Sequence, residues 1–396
     1  MALSEKLKRL SPSMTVVVAN KAREMRAKGI DVISFATGEP DYNTPESVKE
    51  AGIQAIRDNF TKYVASSGIL ELQKAVCRKL KDENGLDYDP SQIVIGNGAK
   101  QLIFQACGIL LDEGDEVIVP TPCWVSYVEQ VKIFGGVPVL PACREEDGFR
   151  LTAEIVEEAI TPKTKALIIC SPNNPTGAVI EEKELRKIAE LAVKHNFYVI
   201  ADEVYENLVF DGKKNYSIAS FGPDIKELTL TVNSLSKTYC MTGWRVGYVA
   251  ASKEIIKAMS AVHGHVTGNV CSPAQKAAAF ALDNIHDFSK MCRDYEQRRN
   301  YVVARFNAML GITCSNPDGA FYVYPNVSQY FGKKYGDYVI NSSMDMANYL
   351  IEVAHIAVVP GESFMMAGYI RLSYAVAMEN VKEGLNRFEE ALRKLS

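Results

Sequence analysis

The chain has 396 residues, 47% hydrophobic and 23% charged, with a formal net charge of −4. That is enough apolar material for the cores of roughly two to three domains of about 150 residues each. A mildly acidic balance without a basic block excludes the electrostatic footprint of a nucleic-acid binder, and no apolar run approaches the roughly 20 residues that cross a bilayer. The nine cysteines are scattered singly, with no Cys-x-x-Cys, which points to free thiols in a reducing cytoplasm. Of the five histidines, His263-Gly264-His265 comes nearest to a ligand pattern, and no metal is expected.

Met1–Leu10 is rich in Lys and Arg but has no apolar core, so an amphipathic first helix is expected there and not a secretory signal. Ser34–Asp41 reads as a short strand running into a loop. Thr44-Pro45-Glu46 reads as a helix start, with Thr44 as N-cap and Pro45 first in a helix reaching about Asn59. Leu72, Ala75, Val76 and Leu80 give Glu71–Glu83 a helical spacing. Then strands alternate with helices. The predicted strands are Ile93–Ile95, Glu116–Val119, Val137–Leu140, Ala166–Ile169, Tyr198–Ala201, Leu228–Val232 and Val246–Ala250. Helices are expected up to Leu111, after Pro122, and over Ala153–Ile160 and Glu181–Lys194. The wholly apolar Ala166–Ile169 has the pattern of a strand buried on both faces. This rhythm predicts an α/β fold with a mostly parallel sheet flanked by helices. Beyond about Lys253 it changes to long helical patterns through Leu310. Short strands follow at Phe321–Tyr324, Ile356–Val359 and Tyr369–Ser373, then a last helix from about Glu379 to Lys394. A smaller α+β domain is expected there, joined by the N-terminal segment.

Ligands of open parallel sheets collect at the carboxyl ends of the strands. After Ile95 comes Gly98-Ala99-Lys100, opening a helix whose first N–H groups can hold a phosphate. Gln101 breaks the dinucleotide glycine pattern, so a nicotinamide cofactor is disfavoured. After Ile169 comes Ser171–Gly177, either a tight turn or a rigid mount for the Asn174 amide. After Ala201 comes Asp202-Glu203-Val204-Tyr205. A carboxylate there needs a partner, either a helix N-terminus or an arginine in a structural role, or a cationic ring nitrogen. After Val232 comes Ser234–Gly247, which sets Lys237 among small hydroxyl residues with Arg245 eight residues on. Desolvation lowers a lysine's pKa and makes it a nucleophilic amine, and an arginine beside it can clamp a phosphate. An amine nucleophile next to a phosphate clamp is what pyridoxal 5'-phosphate (PLP) requires.

Asn174, Asp202, Tyr205, Lys237 and Arg245 thus occur in that order, each at or after a strand end. Together with Gly38-Glu39-Pro40-Asp41, Ser171–Gly177, Ser234–Gly247 and Ile370–Ala375, they make the chain resemble the class I aminotransferases of PLP fold type I, in the aspartate aminotransferase group. The resemblance covers essentially the whole chain. It implies a large PLP-binding domain over residues 46–289 and a small domain from residues 1–45 and 290–396.

The resemblance also implies roles. Lys237 forms the internal aldimine and shuttles the proton, Asp202 keeps the pyridine nitrogen protonated, and Tyr205 and Asn174 hydrogen-bond the cofactor's phenolic oxygen. Trp124 lies on the ring face, or else is a core aromatic. Gly98, Ala99, Lys100, Ser234, Ser236 and Arg245 hold the phosphate, and Tyr63 reaches it from the neighbouring subunit of a homodimer with shared active sites. Arg371 grips the substrate α-carboxylate close to the Gly38 backbone. Lys100, Ser13 and Thr15 meet a distal carboxylate, with a helix N-cap as the other reading of Thr15. The implied reaction is a ping-pong transfer between L-aspartate and 2-oxoglutarate, in the cytoplasm. Alternatives are a preference for prephenate, aromatic amino acids or alanine, or a carbon–sulfur lyase or cyclopropane-forming synthase on the same fold. Gly268 departs from the small hydroxyl that relatives carry in a segment that contacts the partner subunit. A PLP-sensing regulator would need a DNA-binding domain ahead of the fold, and only about 30 residues precede the first strand.

Overall fold

The computed structural model describes residues 10–11 and 14–396. Ser13, and all but the last residue of the helix expected over Met1–Leu10, lie outside the described residues. A seven-stranded sheet forms the centre: β1 (Ile93–Gly96), β2 (Glu116–Ile118), β3 (Val137–Val139), β4 (Thr164–Cys170), β5 (Tyr198–Asp202), β6 (Thr229–Ser234) and β7 (Gly247–Ala250). Their spatial order is β1-β7-β6-β5-β4-β2-β3. All neighbouring pairs are parallel except the two that β7 makes.

Successive strand residues point to opposite faces, and both faces are covered. Ile168 and Ile200 share a core with Leu102 and Ala106 of the helix Ala99–Leu110. Leu167, Ile169, Val199 and Ala201 share another with Leu185, Ile188 and Ala192 of the helix Glu182–His195. That helix carries Glu182 and Glu184 at its start and Lys194 and His195 at its end, matching its dipole, and Asn196 closes it in the left-handed region (φ 53°).

The reversed strand β7 brings Lys237 and Arg245 to one edge of the sheet. Residues 235–246 double back, so β7 begins at the edge where β6 ends, and Ser234 pairs with Gly247. Gly247 also pairs with Gly96 at the end of β1. Lys237 and Arg245 therefore lie between two strands at the same edge that carries Asp202 and Asn174. A second, antiparallel sheet is formed by β8 (Tyr322–Val323), β9 (Val359–Pro360) and β10 (Ile370–Ser373), in the order β9-β10-β8. Arg371 lies opposite Val359, and Ser373 opposite Tyr322. Ile33–Ser34 pairs in parallel with Ile356–Ala357, so the N-terminal segment joins the C-terminal third of the chain.

Some local expectations are corrected. Thr44 does not cap the helix Glu46–Arg57; Pro45 occupies that position without a side-chain cap. The Thr44 hydroxyl instead donates to the Cys240 carbonyl (2.7 Å) and accepts from the Trp244 indole (3.1 Å), tying the helix entry to the Lys237 loop. Leu228 ends a short helix, Pro223–Leu228, and the strand starts at Thr229. The region Ile356–Val359 is two short strands with a break, and the helix Ser343–Val353 had no prediction.

Gly247 allows β7 to pass close to the first turn of the helix Ala99–Leu110. A Cβ there would lie 2.8 Å from both the Asn233 carbonyl oxygen and the Gly98 carbonyl carbon, with backbone on both sides. Gly247→Ala is expected to cost about 1–3 kcal/mol through overpacking, read as a lower denaturation midpoint. Gly264→Ala, in a helix with nothing within 4 Å of the new methyl, is expected to be neutral or to stabilise by up to about 1 kcal/mol. Equal effects of the two changes would contradict the close approach.

Candidate active site

The carboxyl edge of the large sheet opens into a cavity of about 510 Å³. Its walls include Thr15, Gly38, Ala99, Lys100, Trp124, Asn174, Asp202, Tyr205, Ser234, Ser236, Lys237, Arg245 and Arg371. Gly98 lies directly beneath Arg245: a Cβ at Gly98 would be 2.6 Å from Nη2. Tyr63 does not line the cavity and is 97% exposed.

Lys237 follows β6 and points inward, donating from Nζ to the Gly38 carbonyl at 2.6 Å. Burial, then the Arg371 charge, pulls the amine down to about 8, against the opposing carboxylates of Glu39 and Asp202. At the end of β5, Asp202 is buried, and burial pushes it up to about 6. The Tyr127 hydroxyl (2.5 Å) and the Val204 N–H (3.4 Å) both donate to its carboxylate and restrain that rise.

Arg371 is 2% exposed, yet no carboxylate pairs with it among the described residues. Its guanidinium donates to the Asn174 side-chain oxygen (3.1 Å) and the Ala36 carbonyl (2.5 Å), and its Nε is buried without a partner. The charge lies over the rings of Tyr322 (4.6 Å) and Phe364 (5.1 Å). A buried unpaired cation is costly, and an incoming anion removes that cost. Lys100, at the start of its helix, holds its ammonium 4.7 Å from the Trp124 ring centroid. Burial, and secondarily Arg245, lowers its pKa.

Arg245 is in the left-handed region (φ 57°) and donates to the carbonyls of Thr242 (2.9 Å) and Asn97 (3.0 Å). Gly98, at φ 81°, precedes the helix Ala99–Leu110 without a side-chain cap, leaving the first N–H groups for an anion. With the buried Ser234 and Ser236 these groups form a donor set suited to a phosphate dianion. A cavity holding a low-pKa amine, such a donor set and a buried carboxylate fits PLP.

Sequence reasoning did not single out Tyr127, Tyr322, Cys170, Thr242 or Glu39, all of which line the cavity. Tyr127 lies three residues after Trp124, which precedes the helix Val125–Ile133, and the two rings meet edge to face with centroids 5.3 Å apart. Tyr322 comes from β8, distant in sequence, and its hydroxyl is 2.8 Å from that of Tyr205. Glu39 accepts from the Thr242 hydroxyl at the mouth. Among the described residues no cluster of ligating side chains could hold a metal, and no helix is long and apolar enough to cross a membrane. All nine cysteines are free thiols.

The profile of the family described as aminotransferase class I and II matches residues 30–388. The chain is 45% identical to a probable aspartate/prephenate aminotransferase of Aquifex aeolicus, with 99% of each chain covered. It is similar in structure to the aspartate aminotransferase of Rhizobium meliloti (TM-score 0.95, 40% identity, all of both chains covered). The aspartate aminotransferase of Thermus thermophilus with maleate is also similar (TM-score 0.92, 41% identity, 99% and 100% covered).

An amine held near 8 is largely unprotonated just above that pH, when ordinary lysines stay charged. In cofactor-free protein a small amine-acylating reagent is therefore expected to modify Lys237 ahead of the surface lysines, with a rate that rises through a midpoint near pH 8. Peptide mass spectrometry across a pH series reads this, and labelling of Lys237 no faster than of exposed lysines would contradict its desolvation.

Proposed function

The chain belongs to the class I and II aminotransferase family and is a transferase of amino groups, and from that premise we propose that it moves the α-amino group between L-aspartate and 2-oxoglutarate with PLP as its cofactor. The products are oxaloacetate and L-glutamate, made in two alternating half-reactions. One observation carries the dicarboxylate reading: Arg371, buried and without a carboxylate partner, shares one cavity with Lys100, a cation other than the proposed cofactor-binding Lys237 and Arg245. An α-carboxylate meets Arg371 in a two-point grip that only a guanidinium offers, and the distal carboxylate meets Lys100 with Thr15 beside it. Relatives named for aspartate support the same choice.

PLP, when bound, supplies an electrophilic carbonyl carbon and a ring that accepts electrons from the substrate Cα. The chain's own groups do the rest. Lys237 would bind the cofactor covalently through its amine nitrogen and, once freed again as an amine, would move the proton at the substrate Cα. Asp202 stabilises a proton on the ring nitrogen, and that cation in turn lowers the carboxyl's pKa. Asn174 and Tyr205 donate to the ring oxygen, and Trp124 covers the ring face. Ser234, Ser236, Arg245 and the N–H groups after Gly98 hold the phosphate. Gly38 lacks a side chain, which leaves its backbone open to the substrate carboxylate.

We assign residues 46–289 to the cofactor-binding unit and residues 1–45 and 290–396 to a small unit carrying Arg371. Tyr63, fully exposed, fits a role at the phosphate of a second copy in a cytoplasmic homodimer. Prephenate is a second reading: it also carries two carboxylates, and the Aquifex aeolicus relative is named for it as well as for aspartate.

Lys237→Ala is expected to bind PLP without covalent linkage and to lose nearly all turnover; substantial activity would refute the assignment. Lys100→Ala is expected to lower kcat/KM for aspartate about tenfold to hundredfold, as for a charge-assisted bond of about 1.5–3 kcal/mol, with a much smaller effect on alanine. Equal losses for both donors would argue against the distal-carboxylate role. A panel with aspartate and prephenate as alternatives ranks the two readings.

A further inference from the structure

Tyr322 stands at a junction that the proposed roles leave unexplained. Its hydroxyl is 2.8 Å from the Tyr205 hydroxyl, and its ring lies under the Arg371 guanidinium, 4.6 Å from centroid to Cζ. A side chain at Gly38 would collide with the same hydroxyl, so Gly38, Tyr205 and Tyr322 meet at one point beside Lys237. Tyr322 is 1% exposed, and its strand β8 pairs with β10, which carries Arg371. It thus bridges the strand that bears the substrate-side cation to a phenol at the cofactor side.

We propose that Tyr322 is a positioning residue that couples the charge on Arg371 to the hydrogen bond Tyr205 gives the cofactor's ring oxygen. The inference deepens the reading above and rests on it. The Arg371 cation favours the electron-rich oxygen of its neighbour's phenol, which makes Tyr322 the donor to Tyr205. The Tyr205 proton is then directed away, toward the ring oxygen. Hydrogen bonds in such a chain polarise and strengthen one another. When a substrate carboxylate neutralises Arg371, the chain weakens, and the ring oxygen senses the occupied carboxylate site. Asn174, which accepts from Arg371 at 3.1 Å, provides a parallel line to the same oxygen.

The charged and titratable groups facing Tyr205 and Lys237 are Arg371 and Tyr322, Asp202 and Cys170, and Glu39 and Arg245. Tyr322→Phe leaves all of them in place except one hydroxyl. It also keeps the ring beneath Arg371, so the packing is preserved.

The test is the pH midpoint of the visible absorbance band of the PLP-loaded protein, with and without the unreactive dicarboxylate maleate. Tyr205→Phe is expected to raise the midpoint by roughly one to two pH units, the loss of one bond to a charged group. Tyr322→Phe is expected to raise it by roughly 0.2–0.6 unit and to reduce the maleate-induced shift. In the Tyr205→Phe background, Tyr322→Phe is expected to add nothing. If Tyr205→Phe moves the midpoint and Tyr322→Phe does not, or if the two shifts add, the coupling is overturned while the functional reading stands. If wild-type protein shows no pH-dependent band with PLP, the functional reading fails and the coupling with it.

Discussion

A half-buried amine, Lys237, and a buried guanidinium, Arg371, face one cavity, and among the described residues neither is hydrogen-bonded to a carboxylate. Much of the site follows from that imbalance. The Arg371 charge lowers the amine's affinity for a proton, and burial acts on both groups in the same direction. The result is an amine that loses its proton near pH 8 and a guanidinium awaiting an anion. Asp202 is the opposing buried carboxylate; burial lifts it to about 6, and Tyr127 keeps it from rising further. Under the proposed function, a phosphate, a cationic ring and a dicarboxylate would complete the charge balance of this cavity.

Holding the charges in place is a matter of chain topology. β7 runs against its neighbours, so the loop of residues 235–246 returns to the edge it left. Gly247 and Gly98 then let β7, the loop before it and the start of the helix Ala99–Leu110 approach closely. Thr44, in bonding to Cys240 and Trp244, fastens the outer side of that loop. The substrate side comes from elsewhere: β10 places Arg371, and Asn174 and Ala36 fix its guanidinium.

The parts legible in the sequence were those governed by local pattern. The buried strands announced themselves by unbroken apolar runs such as Ala166–Ile169, and residues at or just after strand ends, such as Asp202 and Lys237, line the cavity. Gly98 and Arg245 were legible because a glycine suits the turn that opens a helix and an arginine suits an anion site, and the structure brings the two into contact. Thr44 misled because Thr-Pro-Glu is a sound local cap signal, overridden by a tertiary bond to Cys240. The reversal of β7 left no trace in hydrophobicity. Tyr322 was read as part of a strand but not of the site, since its meeting with Tyr205 bridges 117 residues of chain. Tyr127 lies three residues after Trp124, with nothing local to say that Asp202 lay opposite.

The central claim is that this cavity takes the amino group from aspartate, keeps it, and hands it to an oxo acid. It is tested most directly by giving PLP-loaded protein nitrogen-labelled L-aspartate alone, removing the excess, and then adding 2-oxoglutarate. The account predicts about one oxaloacetate per subunit in the first step with no free ammonia, and labelled L-glutamate in the second. Continuous release of pyruvate or ammonia in the first step, or unlabelled glutamate in the second, would contradict it.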